Sequence, residues 1–224
     1  MKSVGAEVDG GLKPAQPLSE MAYHALTGMV LSGELQPNEL VTERQIAIRL
    51  GISRTPLREA VRRLEGERFF ERQRSGALVV RPLPIEEIVN ILAVRSVLEG
   101  EAARLAAGHV PKDALQRQRI LIEKFSRLPP DAKIPEFSEH DRDLHALIAS
   151  FCGNPVLQRM LQDLRTRLSM FRFGRAPSRC ATVCEEHLAI IDALLAGDGE
   201  AAQSAMQHHI DQVRAVILER LAAR

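Results

Sequence analysis

No stretch of the 224 residues is apolar for long enough to cross a bilayer, and the opening MKSVGAEVDGGLKPAQPLSE lacks the apolar core of a secretion signal. Both absences point to a cytoplasmic protein. Cysteine is scarce too: Cys152, Cys180 and Cys184 are an odd number without framework spacing, as suits a reducing compartment. Cys180 and Cys184, with no second pair, read as small apolar or surface thiols rather than as a metal site. A Gly-rich phosphate loop, a Walker motif and a nucleophile elbow are all missing. Net charge is only +1, so overall charge does not select a partner.

What is present is an ordinary globular composition, 45% hydrophobic and 26% charged, in a chain long enough for two small domains. Charge is unevenly spread. Residues 42–81 carry ten arginines against five glutamates, whereas residues 82–224 balance 18 Lys and Arg against 19 Asp and Glu. A small basic unit joined to a near-neutral remainder is expected when one domain meets a polyanion.

Residues 1–18, rich in Gly, Pro and small polar side chains, read as a mobile arm. Ser19 is the expected N-cap of a first helix that turns Ala22, Leu26 and Val30 inward and ends at Gly33. After the turn LQPNEL, Thr42 caps a short second helix with Ile46, Ala47 and Leu50 on one face, ended by Gly51. ISRTPLREAVRRLEGE then starts a third helix with Thr55 as expected N-cap and Pro56 at the first helical position. Leu57, Val61 and Leu64 form its buried stripe and leave Arg54, Arg58 and Arg62 facing outward. FFERQRSGALVV alternates around Ser75 and Gly76 and predicts a two-stranded hairpin with Arg72 and Arg74 near its tip. Residues 19–81 therefore read as a winged helix-turn-helix whose third helix enters the major groove of DNA. A small helical domain with a solvated arginine face is the alternative, and it leaves cap, proline and wing unexplained.

RPLP at 81–84 interrupts the helical pattern, with 82–84 as a stiff linker. Residues 85–224 then predict an all-helical bundle of six helices, at 85–108, 112–127, 136–151, 154–173, 181–196 and 199–222. The fold class is thus mainly α. Within HDRDLHALIA, Asp141 and His145 stand four apart and share a face with Ile148 and Cys152, so carboxylate and imidazole point inward together. His187, between Val183 and Ile191, and His209, on the stripe Ala202, Met206, Val213 and Ile217, also face the core. His208 falls with Ser204 and Gln212 toward solvent. His140 precedes Leu144, Leu147 and Phe151 at helical spacing and is a reserve candidate. Taken singly, each inward histidine is a satisfied core residue. Together, three of them with one carboxylate have the composition of a site for zinc, nickel, manganese or iron, and one shared cation would relieve several desolvation penalties.

The segment LTGMVLSGELQPNELVTERQIAIRLGISRTPLREAVRRLEGE closely resembles the winged helix of GntR-family transcription regulators. VRSVLEGEAARLAA, DRDLHALIASFCGNPVL, EHLAIIDALLAGD and AMQHHI resemble the FCD effector domain of the FadR subfamily, so the likeness spans about 19–220, with 85–224 as the effector-binding and dimerisation domain. It implies a ligand-responsive regulator, a repressor acting as a homodimer on a palindromic DNA operator. It implies a divalent metal, zinc, nickel or manganese, on Asp141, His145, His187 and His209, and release by a small organic acid. Arg44, Arg54, Arg58 and the wing-tip Gly76 map to DNA contacts, with Thr55 adding a phosphate contact. Arg95 maps to the partner of the acid, although Glu99 at i+4 offers it an intrahelical ion pair instead.

Three positions depart from the family pattern. Asn38 and Arg68 stand where glycine is usual, and Leu144 where phenylalanine is. Two other readings remain open at this stage: a metal-dependent hydrolase fused to a DNA-targeting domain, and a regulator whose metal is purely structural. The first needs a general base beside an activated water, and no further inward glutamate near these histidines is evident.

Overall fold

Pro17, not Ser19, starts the first helix of the computed structural model, which describes residues 17–82, 84–129, 135–169 and 180–222. The backbone N–H groups of Glu20 and Met21 both reach the Pro17 carbonyl, so Ser19 lies inside the first turn and its hydroxyl is not the cap. The arm at 1–16 and linker residue 83 lie outside the described residues. So do residues 130–134 and 170–179, including the expected helix end at 170–173. The chain divides into two compact units at residue 82.

In the first unit α1 (Leu18–Ser32) buries Ala22, Leu26 and Val30, the expected stripe, and ends at Gly33. Thr42 caps α2 (Glu43–Leu50) through a reciprocal box, accepting from Gln45 N–H while the Gln45 side chain takes the Thr42 N–H. In α3 (Arg54–Gly66) Leu57, Val61 and Leu64 are fully buried. Its N-cap is Ser53, without a side-chain bond, so the expected cap at Thr55 is corrected and Pro56 moves to the third helical position. The reason is simple. None of the first four N–H groups of a helix has an intrahelical acceptor, so proline is tolerated throughout the first turn and does not fix where it begins.

The wing is β2 (Phe70–Arg72) and β3 (Leu78–Val80), with Gly76 at φ 84° in the turn between them. The expected two-stranded hairpin is also corrected: β1 (Leu40–Val41) adds to β3, giving a three-stranded antiparallel sheet in the order β1-β3-β2. Leu40 pairs with Val79 and Phe70 with Val80. Two residues are too few for alternation to reveal. The turn before them is set by Asn38 at φ 66°, whose N–H donates to the Val80 carbonyl at 2.9 Å. Arg68 takes the same left-handed backbone, φ 62°, between α3 and the wing.

The second unit contains, among the described residues, α4 (Ile85–Ala106), α5 (Lys112–Ser126), α6 (Pro135–Ser150), α7 (Pro155–Ser169), α8 (Cys180–Ala196) and α9 (Gly199–Ala222). α4 lies along α9 and also packs on α6 and α7, while α8 sits between α5 and α9. Ile88, Leu92, Leu115, Ile122, Leu144, Ile148, Ile190, Leu194 and Met206 fill the main core. Gly100 permits the α4–α9 approach, since a Cβ there would lie 2.7 Å from Gln207 Cγ.

Candidate nucleic-acid surface and metal centre

The basic surface of the first unit is built on α2, α3 and the wing. Arg44 on α2, Arg54, Thr55, Arg58 and Arg62 on α3, and Gly76 at the wing turn are all exposed. Placing Thr55 in the first turn of α3 frees its hydroxyl from capping. Not every arginine is available: Arg63 lies 3.8 Å over the Tyr23 ring and pairs with Glu20 and Glu67, a role internal to the unit. Arg58 donates to Glu43 at 2.9 Å while keeping 58% of its side chain exposed. Arg72, expected near the wing tip, sits at the end of β2 and is tied to Glu43 and Glu65, whereas Arg74 stays in the exposed turn.

In the bundle, α6 supplies Asp141 and His145, α8 supplies His187 and α9 supplies His209. Ligand atoms of all four lie within 4.8 Å of one another. The three histidines are at most 2% exposed, while the Asp141 side chain as a whole retains 41%. His145 Nε2 stands 3.8 Å and His187 Nε2 3.3 Å from Asp141 Oδ1. Burial resists ionisation of Asp141, but the imidazoles of His187, His145 and His209 outweigh it and hold the carboxyl well below the usual range. Burial pushes the His209 pKa down to about 4, against the opposing pull of Glu186 and with the help of His187 and His145.

Two buried glutamates correct the expectation that none lies near these histidines. Glu99, 2% exposed on α4, accepts from His145 Nδ1, and Glu186, 7% exposed on α8, pairs with His209 Nδ1 at 2.7 Å. An ionised carboxylate only accepts, so with both glutamates ionised each partner nitrogen carries the proton and each Nε2 presents its lone pair to the cluster. Glu99 is ionised despite burial because Arg95, His145 and Arg165 surround it. Both glutamates were visible in principle. Glu99 falls on the stripe Leu92, Ser96, Ala103 and Ala106, and Glu186 on the stripe Val183, Ile190 and Ala193, each a charged residue at core spacing.

Arg95 makes the ion pair with Glu99, at 2.6 Å. A second arginine, Arg165 on α7, donates to the His145 carbonyl at 3.0 Å, and its buried Nε makes no hydrogen bond but stands 3.7 Å from Glu99 Oε1. His140, 5% exposed, lies against Phe125 and beside His187, with Nε2 unpartnered. Cys184 is buried and its thiol pKa is pushed up to about 12 by burial and by Cys180, as fits apolar packing. His208 is exposed, as its helical position requires.

The test of fit for a cation is His187. It is wholly buried, no group meets hydrogen-bond geometry at either ring nitrogen, and the acceptor facing Nε2 is Asp141 Oδ1, 3.3 Å away. An imidazole left so in a protein core costs free energy unless another acceptor of its lone pair is present, and three imidazoles with a carboxylate suit a borderline divalent metal. The four residues fit such an ion.

Comparison with known proteins gives two matches in chain order. Residues 18–80 match the profile of bacterial regulatory proteins of the gntR family, and residues 90–212 match the FCD domain. A probable D-xylose utilization operon transcriptional repressor of Paenarthrobacter nicotinovorans is 30% identical over 182 residues, 81% of this chain and 80% of that protein. The HTH-type transcriptional repressor RspR of Escherichia coli is 23% identical over 215 residues, 92% and 91% of the two chains. The solved structure of E. coli McbR/YncC superposes with a TM-score of 0.75 at 22% identity, covering 91% of this chain and 98% of that one, a likeness of fold.

Proposed function

Because the chain belongs to the GntR family of transcription regulators and carries the FCD domain, we propose that it is a repressor whose grip on DNA is released when a small carboxylic acid binds at a metal site in the bundle. The observation that carries this reading is the convergence of Asp141, His145, His187 and His209, with Glu99 and Glu186 behind two of the histidines. Those glutamates fix the tautomer of each ring and raise its basicity, which is what an outer carboxylate does for a metal-bound imidazole. A divalent ion, zinc, nickel or manganese, would supply open coordination positions to an acid.

On DNA, Arg44, Arg54, Arg58 and the backbone at Gly76 make the contacts, with Thr55 on a phosphate. Arginine at the start of a recognition helix can take guanine bidentately or pair with phosphate. The protein acts as a homodimer on a palindromic operator, since two half-sites require two-fold symmetry. Exposed Val94 and Val97 on α4, and Val156 and Met160 on α7, give the bundle apolar surface for a second copy. Domain roles follow: 19–81 reads DNA and 85–224 binds effector and partner, in the cytoplasm.

Hydrolysis is the weaker reading, because Glu99 and Glu186 are both engaged by histidine and neither is free to act as general base. Elemental analysis of the purified protein, followed by a thermal-shift screen of small carboxylic acids, tests the proposal. The reading requires about one metal per chain, an acid that raises Tm only with metal present, and loss of operator binding with that acid. A protein that takes up none of the three metals ends it. Unfolding on chelation with no response to any acid would leave the metal a structural part.

A further inference from the structure

Glu43 opens α2, where the helix dipole favours an acidic side chain, and that alone would account for it. Its partners ask for more. Oε2 accepts from Arg58 Nε on the recognition helix and Oε1 from Arg72 Nη2 on the wing, each at 2.9 Å. Arg72 also donates through Nε to Glu65 Oε1 at 3.0 Å and through Nη1 to the Gly76 carbonyl at 3.4 Å. One carboxylate therefore reaches the recognition helix directly and the wing turn through one arginine. Its side chain is 15% exposed beneath an Arg58 that is 58% exposed, so the acid is the inner partner and the guanidinium the outer one.

We propose that Glu43 is a positioning residue for DNA reading, holding Arg58 and, through Arg72, the Gly76 turn at a set spacing so that helix and wing meet one duplex together. This rests on the DNA-binding reading above. A carboxylate at a DNA surface has an obvious competing effect, repulsion of phosphate, and the two predict opposite signs. Removing a mere counter-charge strengthens binding to every duplex, since the site gains one positive charge. Removing a positioning group weakens binding to the correct sequence alone.

The test uses the full-length protein. Wild type selects a duplex from a random-sequence library, and affinities for that duplex and for a shuffled duplex of equal length are measured for wild type, Glu43→Gln, Arg72→Gln and the double variant. Glu43→Gln should weaken the selected duplex about tenfold while the shuffled duplex holds or tightens. The double variant should lose little more than Glu43→Gln, because both substitutions cut the same connection. Equal tightening on both duplexes assigns Glu43 to repulsion and overturns the proposal, as does equal weakening with a lowered Tm, which assigns it to folding. Unchanged affinity for both duplexes overturns it too. Failure of wild type to enrich any sequence removes the DNA-binding premise itself, an outcome distinct from all of these.

Discussion

The two units handle charge in opposite ways. In residues 17–82 the arginine–glutamate pairs lie at the surface, as between Arg58 and Glu43 or Arg63 and Glu67, and the buried side chains among the described residues are apolar apart from Thr27. In the bundle, Glu99, Glu186 and three histidines are inside. Surface pairs contribute about 0–1 kcal/mol each, so their value is the shape they hold rather than stability. Buried groups must be matched nearly completely, since a lone buried charge costs several kcal/mol. Loss of a partner should therefore change what the first unit recognises but whether the second unit holds together or holds a metal.

The most severe break is His187→Ala. It removes one of the four proposed ligands, a wholly buried imidazole, so stoichiometric metal should disappear in elemental analysis while DNA binding of the metal-free protein stays near wild type. Loss of DNA binding in the same variant would show that the units do not divide the work in this way. Acid sharpens the contrast next. The folded-state pKa of His209 is near 4 and its unfolded value near 6.5, so between these the unfolded chain binds the extra proton and stability rises with pH. As pH falls from about 6.5 to about 4, the metal-free bundle should lose roughly 3 kcal/mol, and below that window no more from this group. Urea titrations across that range measure it, and His209→Gln should flatten the slope.

Smaller in effect is Arg54→Ala, which removes an exposed side chain with no ion pair among the described residues. Operator affinity should drop by about 1–3 kcal/mol with Tm unchanged, and the salt dependence should become shallower. Smallest is Arg68→Gly. Its left-handed backbone, φ 62°, carries strain for a residue with a Cβ, and glycine there should add up to about 1 kcal/mol of stability in chemical denaturation.

What the sequence made legible follows the same division. Among the described residues, periodicity located every helix of both units, because an apolar stripe on a helix is a repeated signal. It placed Asp141, His145, His187 and His209 on inward faces for the same reason. Boundaries at Pro17 and Ser53 were missed, since proline and small polar residues are all acceptable in a first turn and no side-chain cap marks either start. β1 was missed because two residues, Leu40 and Val41, have no period. Glu99 was read only as an i+4 partner for Arg95, and Glu186 was not singled out. Their stripes placed them inside, but only the distant partners, His145 and Arg165 for one, show why a carboxylate is tolerated there. Pairing between helices is a tertiary fact that local spacing does not contain.

Glu99 also bears on the order in which the bundle assembles. Arg95 is one turn away and can join it as soon as α4 forms, but His145 and Arg165 arrive from much later in the chain, on α6 and α7. Until they do, drying that face of α4 would strand a carboxylate with one partner, so water stays on it through collapse and leaves when the three helices close. We expect this junction to form after the rate-limiting step. Glu99→Gln should accordingly leave the refolding rate nearly unchanged and speed unfolding, placing the whole loss of stability on the exit side of the barrier.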